Sequence, residues 1–153
     1  MREWEKFLAP CKEGSEGCED CTDGVQNKHL MKFFSARETF RQHEYVSEKS
    51  KVCDCFVVYE GSPVLYAVEI LAGKLTESEL KDKAEQLEAC RSFVRQWVCY
   101  KNIRCVLIYG SIDRRLKMRQ RGKTKAELLA QKKEIILMEH RRYREGGLQP
   151  FVR

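Results

Sequence analysis

The sequence predicts an α/β protein, a mixed central sheet flanked by helices, and three observations carry that reading. A β-hairpin pattern over residues 52–71 is followed by a long amphipathic helix and then by a compact strand. The hairpin makes an antiparallel pair and the strand–helix–strand run makes a parallel crossover, so one sheet must hold both. A second helix-favouring segment and a last apolar run, Ile135-Ile136-Leu137-Met138, then repeat the crossover. At 153 residues the chain suits one compact domain whose core needs no disulfide or metal as an obligatory staple.

Residues 1–10 read as a short amphipathic piece with Trp4, Phe7 and Leu8 on one side, ended by Pro10. Residues 11–27 form a polar loop with Gly14, Gly17 and Gly24, so that 1–29 is a cysteine-containing extension and 30–153 the core. The spacing of Leu30, Phe33, Phe34 and Phe40 predicts a first helix over 30–42, and 44–50 is a candidate strand. β-Branched and aromatic residues over 52–59, the turn Glu60-Gly61-Ser62-Pro63 and a second such run over 64–71 give the hairpin, ended by Ala72-Gly73. Thr76 and Glu79 have capping-box spacing, and Leu80, Ala84, Leu87, Val94 and Trp97-Val98 extend an apolar stripe to about Tyr100. Residues 104–109 read as a strand ending at Gly110. Residues 113–133 favour a basic helix broken near Gly122, and 134–140 a final strand. Gly146-Gly147 and Pro150 lead into the tail. The chain has no internal repeat and no low-complexity tract.

Hydrophobic residues at 42% and charged residues at 34% exclude an intrinsically disordered chain. No stretch approaches the roughly 20 apolar residues of a membrane span, so no membrane partner is expected. Charges at Arg2, Glu3, Glu5 and Lys6 occupy the place of a signal peptide's apolar region, so a cytoplasmic protein is expected. The net charge of +6 hides an asymmetry: residues 101–153 hold 15 basic and 5 acidic side chains, whereas residues 1–100 are net acidic. Arg114, Arg115, Lys117, Arg119, Arg121, Lys123 and Lys125 fall within one short stretch that contains no acid. Helix salt bridging does not explain them, because i,i+4 partners are missing. Phosphate contact does, and DNA or structured nucleic acid is the partner such a stretch fits. Arg141, Arg142 and Arg144 are placed to extend the patch. Without interleaved aromatics, backbone contacts to a duplex are favoured over a single-strand stacking platform. A solvated basic helix is the plainer alternative.

The eight cysteines divide into two groups. Cys53, Cys55, Cys90, Cys99 and Cys105 sit in apolar runs and read as small core hydrophobes. Cys11, Cys18 and Cys21 cluster in the N-terminal loop with one Cys-x2-Cys step, which with His29 would complete a Cys3His set for structural zinc. An iron–sulfur centre, a disulfide or simple thiols are the alternatives.

Strand alternation puts Asp54, Phe56 and Val58 on one side of the first hairpin strand, and Leu65, Ala67, Glu69 and Leu71 on one side of the second. Asp54 and Glu69 both lie far from the turn, so register can bring their carboxyls together. Two buried acids repel and lose hydration unless a cation lies between them, and Mg²⁺ (or Mn²⁺) suits such an oxygen pair. A strand-end acid paired with Lys74 or Lys51 is the plainer reading of Glu69, and a polar strand-edge residue that of Asp54.

Asp54 opening a strand, the hairpin, and then Val68-Glu69-Ile70-Leu71 with a Gly-Lys step resemble the PD-(D/E)XK nuclease core. The resemblance is to its small archaeal form, seen in Holliday-junction resolvases, and it spans about residues 30–140. It implies a restriction-endonuclease-like fold, a homodimer, and a Mg-dependent endonuclease that hydrolyses DNA phosphodiesters. It also implies a site in which Asp54 and Glu69 hold the metal, Glu38 (or, failing it, Glu44) supplies the helix acid, and Gln86 supports them. Cys53 replaces the motif proline. Leu71 replaces the motif lysine, which leaves Lys74 as the candidate substitute. The alternative is a catalytically inactive DNA-binding or interaction subunit that kept the fold.

Overall fold

The computed structural model describes residues 2–14, 18–43 and 52–148. The helices are α1 (Glu3–Leu8), α2 (Glu19–Thr22), α3 (Ala36–Gln42), α4 (Glu77–Val94), α5 (Lys125–Lys132) and α6 (His140–Gly146). The strands are β1 (Met31–Ser35), β2 (Cys55–Tyr59), β3 (Leu65–Leu75), β4 (Ile103–Ile112), β5 (Arg119–Gln120), β6 (Lys123–Thr124) and β7 (Ile135–Glu139). Five strands form one mixed sheet in the order β1-β2-β3-β4-β7, and β5 and β6 form a separate ribbon. β1, β2 and β3 run as an antiparallel meander, while β3–β4 and β4–β7 are parallel. The α/β class and the mixed sheet read from the sequence are therefore present.

Alternation along the strands builds two cores. Phe56 and Val58 of β2, Leu65 and Ala67 of β3, and Cys105 and Leu107 of β4 face α1, α3, α4 and α5. Val57, Tyr66, Val68, Val106 and Ile108 face the other way, onto Cys18, Cys21 and Val25 of the N-terminal segment and Tyr143 and Leu148 near the C-terminal end. That second face is stitched by backbone: Tyr143 Oη donates to Cys21 O at 2.6 Å, and Gln26 N to Arg144 O at 2.7 Å. Leu148 N donates to Tyr59 Oη at 2.7 Å. On the first face, Trp4 Nε1 donates to Ser62 O at 2.7 Å and so pins α1 to the β2–β3 turn.

Several elements depart from the sequence reading. Residues 31–35 form a strand where a helix was expected, and the helix starts only at Ala36. Phe33 and Phe34 are buried on opposite faces of the sheet, which strand alternation allows and one amphipathic helix face does not. Ser35 then caps α3 by accepting from Glu38 N at 3.3 Å. Ala72-Gly73 does not end the hairpin; β3 runs on to Leu75 through a bulge between Leu71 and Lys74. α4 has the expected cap, Thr76 Oγ1 accepting from Glu79 N at 3.1 Å, but stops at Val94. The basic segment is not one helix. Asp113 caps a 3-10 turn over Arg114–Lys117, the β5–β6 hairpin follows, and only Lys125–Lys132 is α-helical. Arg121 and Gly122 take φ of 55° and 82°, and two consecutive positive values make a tight hairpin turn that no helix can contain. The candidate strand at 44–50 lies outside the described residues.

Candidate functional site

Residue 54 just precedes β2, and its backbone still reaches β3, one residue out of the ladder's register: Asp54 N donates to Val68 O at 3.0 Å. Cys55 with Val68 is the last rung, and Asp54 bends off it beside Glu69 and Ile70. Glu69 shares the side of Leu65 and Ala67, which α4 covers. Asp54 Oδ2 accepts from Ile70 N at 2.7 Å, and the Glu69 carboxyl hydrogen-bonds Asp54. Glu69 is only 2% exposed. Burial first, then its bond to Asp54 and the Asp54 charge, push its carboxyl up to about 9, while Lys83 acts in the opposite sense. The Glu69 carboxyl thus keeps its proton at neutral pH. Lys83 Nζ lies 3.9 Å from Glu69 Oε2, an atom with no hydrogen-bond partner among the described residues.

This arrangement corrects the magnesium expectation. Among the described residues no three His, Cys, Asp or Glu side chains group so as to hold a metal ion. The remaining carboxylate expected there, Glu38, turns to Arg41 Nη1 at 3.3 Å and Gln42 Nε2 at 2.9 Å. With Glu38 turned away, Asp54 and Glu69 are the two carboxyls left among the described residues, and Asp54 Oδ2 already accepts from Ile70 N, which leaves too few oxygens for a divalent cation.

Structural zinc is corrected too. Cys21 forms a disulfide with Cys55, so its sulfur is not a free ligand. Cys18 is buried with Cys21 on the second face and donates to Gly14 O at 3.2 Å. Cys11 packs against the first face, and His29 is exposed. Ligands on opposite sides of one sheet cannot share a tetrahedral ion. Cys55 is also not the simple core thiol its neighbours suggested.

Gln86 donates from Nε2 to Val52 O at 3.2 Å, fixing the segment that leads into Asp54 rather than touching the acids. Lys74 is exposed. The β3 bulge restores it to the face of Glu69 by pairing it with Ser111, while Glu69 pairs with Leu107. That offset is about 13 Å along the strand, too far for contact. Glu44 lies outside the described residues. Asp54 and Glu38 share the wall of a cleft of about 780 Å³ with Lys12, Arg37 and Arg41, so both signs of charge border it.

Sequence reasoning missed Lys83; of the cysteines it read as core hydrophobes, Cys53, Cys90 and Cys105 are buried and Cys99 is exposed. Lys83 sits one turn from Leu80 and Leu87 on the sheet-facing side of α4, where a lysine among apolar neighbours is the available signal. Cys53 N donates to Cys90 Sγ at 3.0 Å, and burial, then Cys90, push the Cys53 thiol well up. Cys53 is therefore a protonated, inert core group, as is Cys105, which burial pushes up to about 12.

Of the seven cations in the basic segment, Arg114, Arg115, Lys117, Arg119, Arg121 and Lys123 are exposed and Lys125 is half-buried. Among the described residues only Lys125 has a carboxylate partner, Glu77 at 3.1 Å. The 3-10 turn leaves β4 at the same end of the sheet to which Asp54 opens β2, since β2 runs antiparallel to β3 and β3 parallel to β4. No protein-family model, curated protein or solved structure matches this chain.

Proposed function

We propose that the chain is a nucleic-acid-binding protein of restriction-endonuclease-like fold whose acid pair serves structure. The antiparallel meander followed by a parallel crossover supports the nuclease-like reading of the fold. The single observation that carries the binding function is the run of six exposed cations between β4 and α5 with one acid-paired neighbour at its end. Repulsion within such a run is relieved by a polyanion, and released counterions drive the association. The acid pair stiffens the strand ends from which this surface rises.

The test is duplex and branched DNA binding followed by fluorescence anisotropy as a function of salt. Contact with four to seven phosphates gives log Kobs against log salt a slope of about −4 to −6. Glu69→Gln, which mimics the protonated acid, should leave that slope and the affinity unchanged. Absence of binding to every nucleic acid at low salt would discard this function in favour of an interaction subunit.

A further inference from the structure

Resting on that nucleic-acid reading, we infer that the β5–β6 hairpin enters the major groove of duplex DNA and that Arg121 at its tip reads a guanine edge. The first observation is conformational. Arg121 and Gly122 occupy the two central positions of the turn with φ of 55° and 82°. Such turns favour Asn, Asp or Gly at the first of these positions, because a branched-off Cβ is strained there. An arginine in that place weakens the turn and contributes nothing to it: its side chain is exposed and has no partner among the described residues. Its presence is explained by something outside the chain.

The second observation is that the hairpin is held rigidly from below while its tip is free. Leu116, 1% exposed, plugs its foot into the first core. Asp113 N donates to Leu75 O at 2.9 Å, and Lys125 N closes the base on Met118 O at 2.8 Å. Lys123 Nζ is tied back to Gln131 Oε1 at 2.8 Å, and Thr124 Oγ1 caps α5 through Glu127 N at 3.1 Å. The far strand is thus fastened to α5, whereas Arg119 and Arg121 project without internal partners among the described residues. A side chain on a braced ribbon loses less freedom on binding than one on a loose loop.

Dimensions select the groove and the nucleic acid. The ribbon has two rungs, Arg119 with Thr124 and Gln120 with Lys123. Two strands about 4.8 Å apart with their side chains fit the roughly 12 Å B-DNA major groove and not the roughly 6 Å minor groove. The major groove of A-form RNA is too deep and narrow for this entry. Arg114, Arg115 and Lys117 at the foot then meet phosphates flanking the groove, and the guanidinium of Arg121 matches guanine O6 and N7 as a two-pronged donor.

The experiment uses the full chain, a fluorescent guanine-containing duplex of about 20 base pairs, and the same duplex with 7-deazaguanine, which lacks the N7 acceptor. Arg121→Asn supplies a residue that the turn prefers, so the melting temperature should hold or rise. Its affinity for the ordinary duplex should fall by about tenfold. The 7-deazaguanine duplex should weaken the native protein by a similar factor and leave Arg121→Asn unaffected. Equal affinity of the two proteins overturns the inference, as does a native protein indifferent to 7-deazaguanine, because either leaves Arg121 no base to read. Both results leave the binding function standing. Failure of the native protein to bind any duplex at low salt overturns that function itself.

Discussion

Glu69 concentrates the chemistry of this molecule into one proton. The folded protein holds it up to about 9, against an ordinary carboxyl value of 4.5, so between these values the native state binds a proton that the unfolded chain releases. The stability that Glu69 contributes is therefore fully present below the unfolded value and declines as pH rises towards 9, by up to about 1.4 kcal/mol per pH unit. Urea denaturation across that range should show the decline, and Glu69→Gln should flatten it. Lys83→Met removes the cation that opposes the shift, so a carboxyl-carbon NMR titration should find Glu69 moved higher still. The convergence of Asp54 and Glu69 was legible in the sequence because strand alternation and distance from the turn determine it. Their state was not. Whether a proton or a metal joins two acids depends on the third ligand, and Glu38 faces its own helix neighbours.

At the level of elements, the hairpin β2–β3, the capped start of α4 and the strands β4 and β7 follow from local pattern. Thr76→Ala should cost about 1 kcal/mol in chemical denaturation, because the Glu79 N–H loses its acceptor. The elements that escaped are those whose pattern is set across the sheet. Met31–Ser35 has helical spacing only if its two buried faces are read as one, and pairing with β2 decides otherwise. In the basic segment, the helix-favouring composition suggested a helix, while residues 121–122 form a turn at which only Gly122 hinted. Gly147 is a further locally unreadable position. Its φ is 56°, and an added Cβ would stand 2.8 Å from Tyr59 Oη and 3.0 Å from Met31 Sδ. Gly147→Ala should destabilise the fold by at least about 2 kcal/mol, measured by thermal or urea unfolding.

Across the whole molecule, the Cys21–Cys55 disulfide joins the N-terminal segment to the start of β2 over a sequence separation of 34. The loop-entropy relation assigns such a closure about 4 kcal/mol. Denaturation with and without reductant should differ by about that amount, and the Cys21→Ser protein should be insensitive to reductant. The cysteine pattern alone left several outcomes open, since Cys55 looks like any other thiol in an apolar strand. No helix among the described residues is long and apolar enough to cross a membrane.

The second core is roofed by segments from opposite ends of the sequence, with Cys18, Cys21 and Val25 on one side and Tyr143 and Leu148 on the other. No contiguous fragment short of that full span contains it. A nascent chain emerging from the ribosome therefore leaves Val57, Tyr66 and Ile108 in water until residue 148 has cleared the exit tunnel. Folding of that half waits for the segment that carries Tyr143 and Leu148, and until then the growing polypeptide holds this apolar face uncovered.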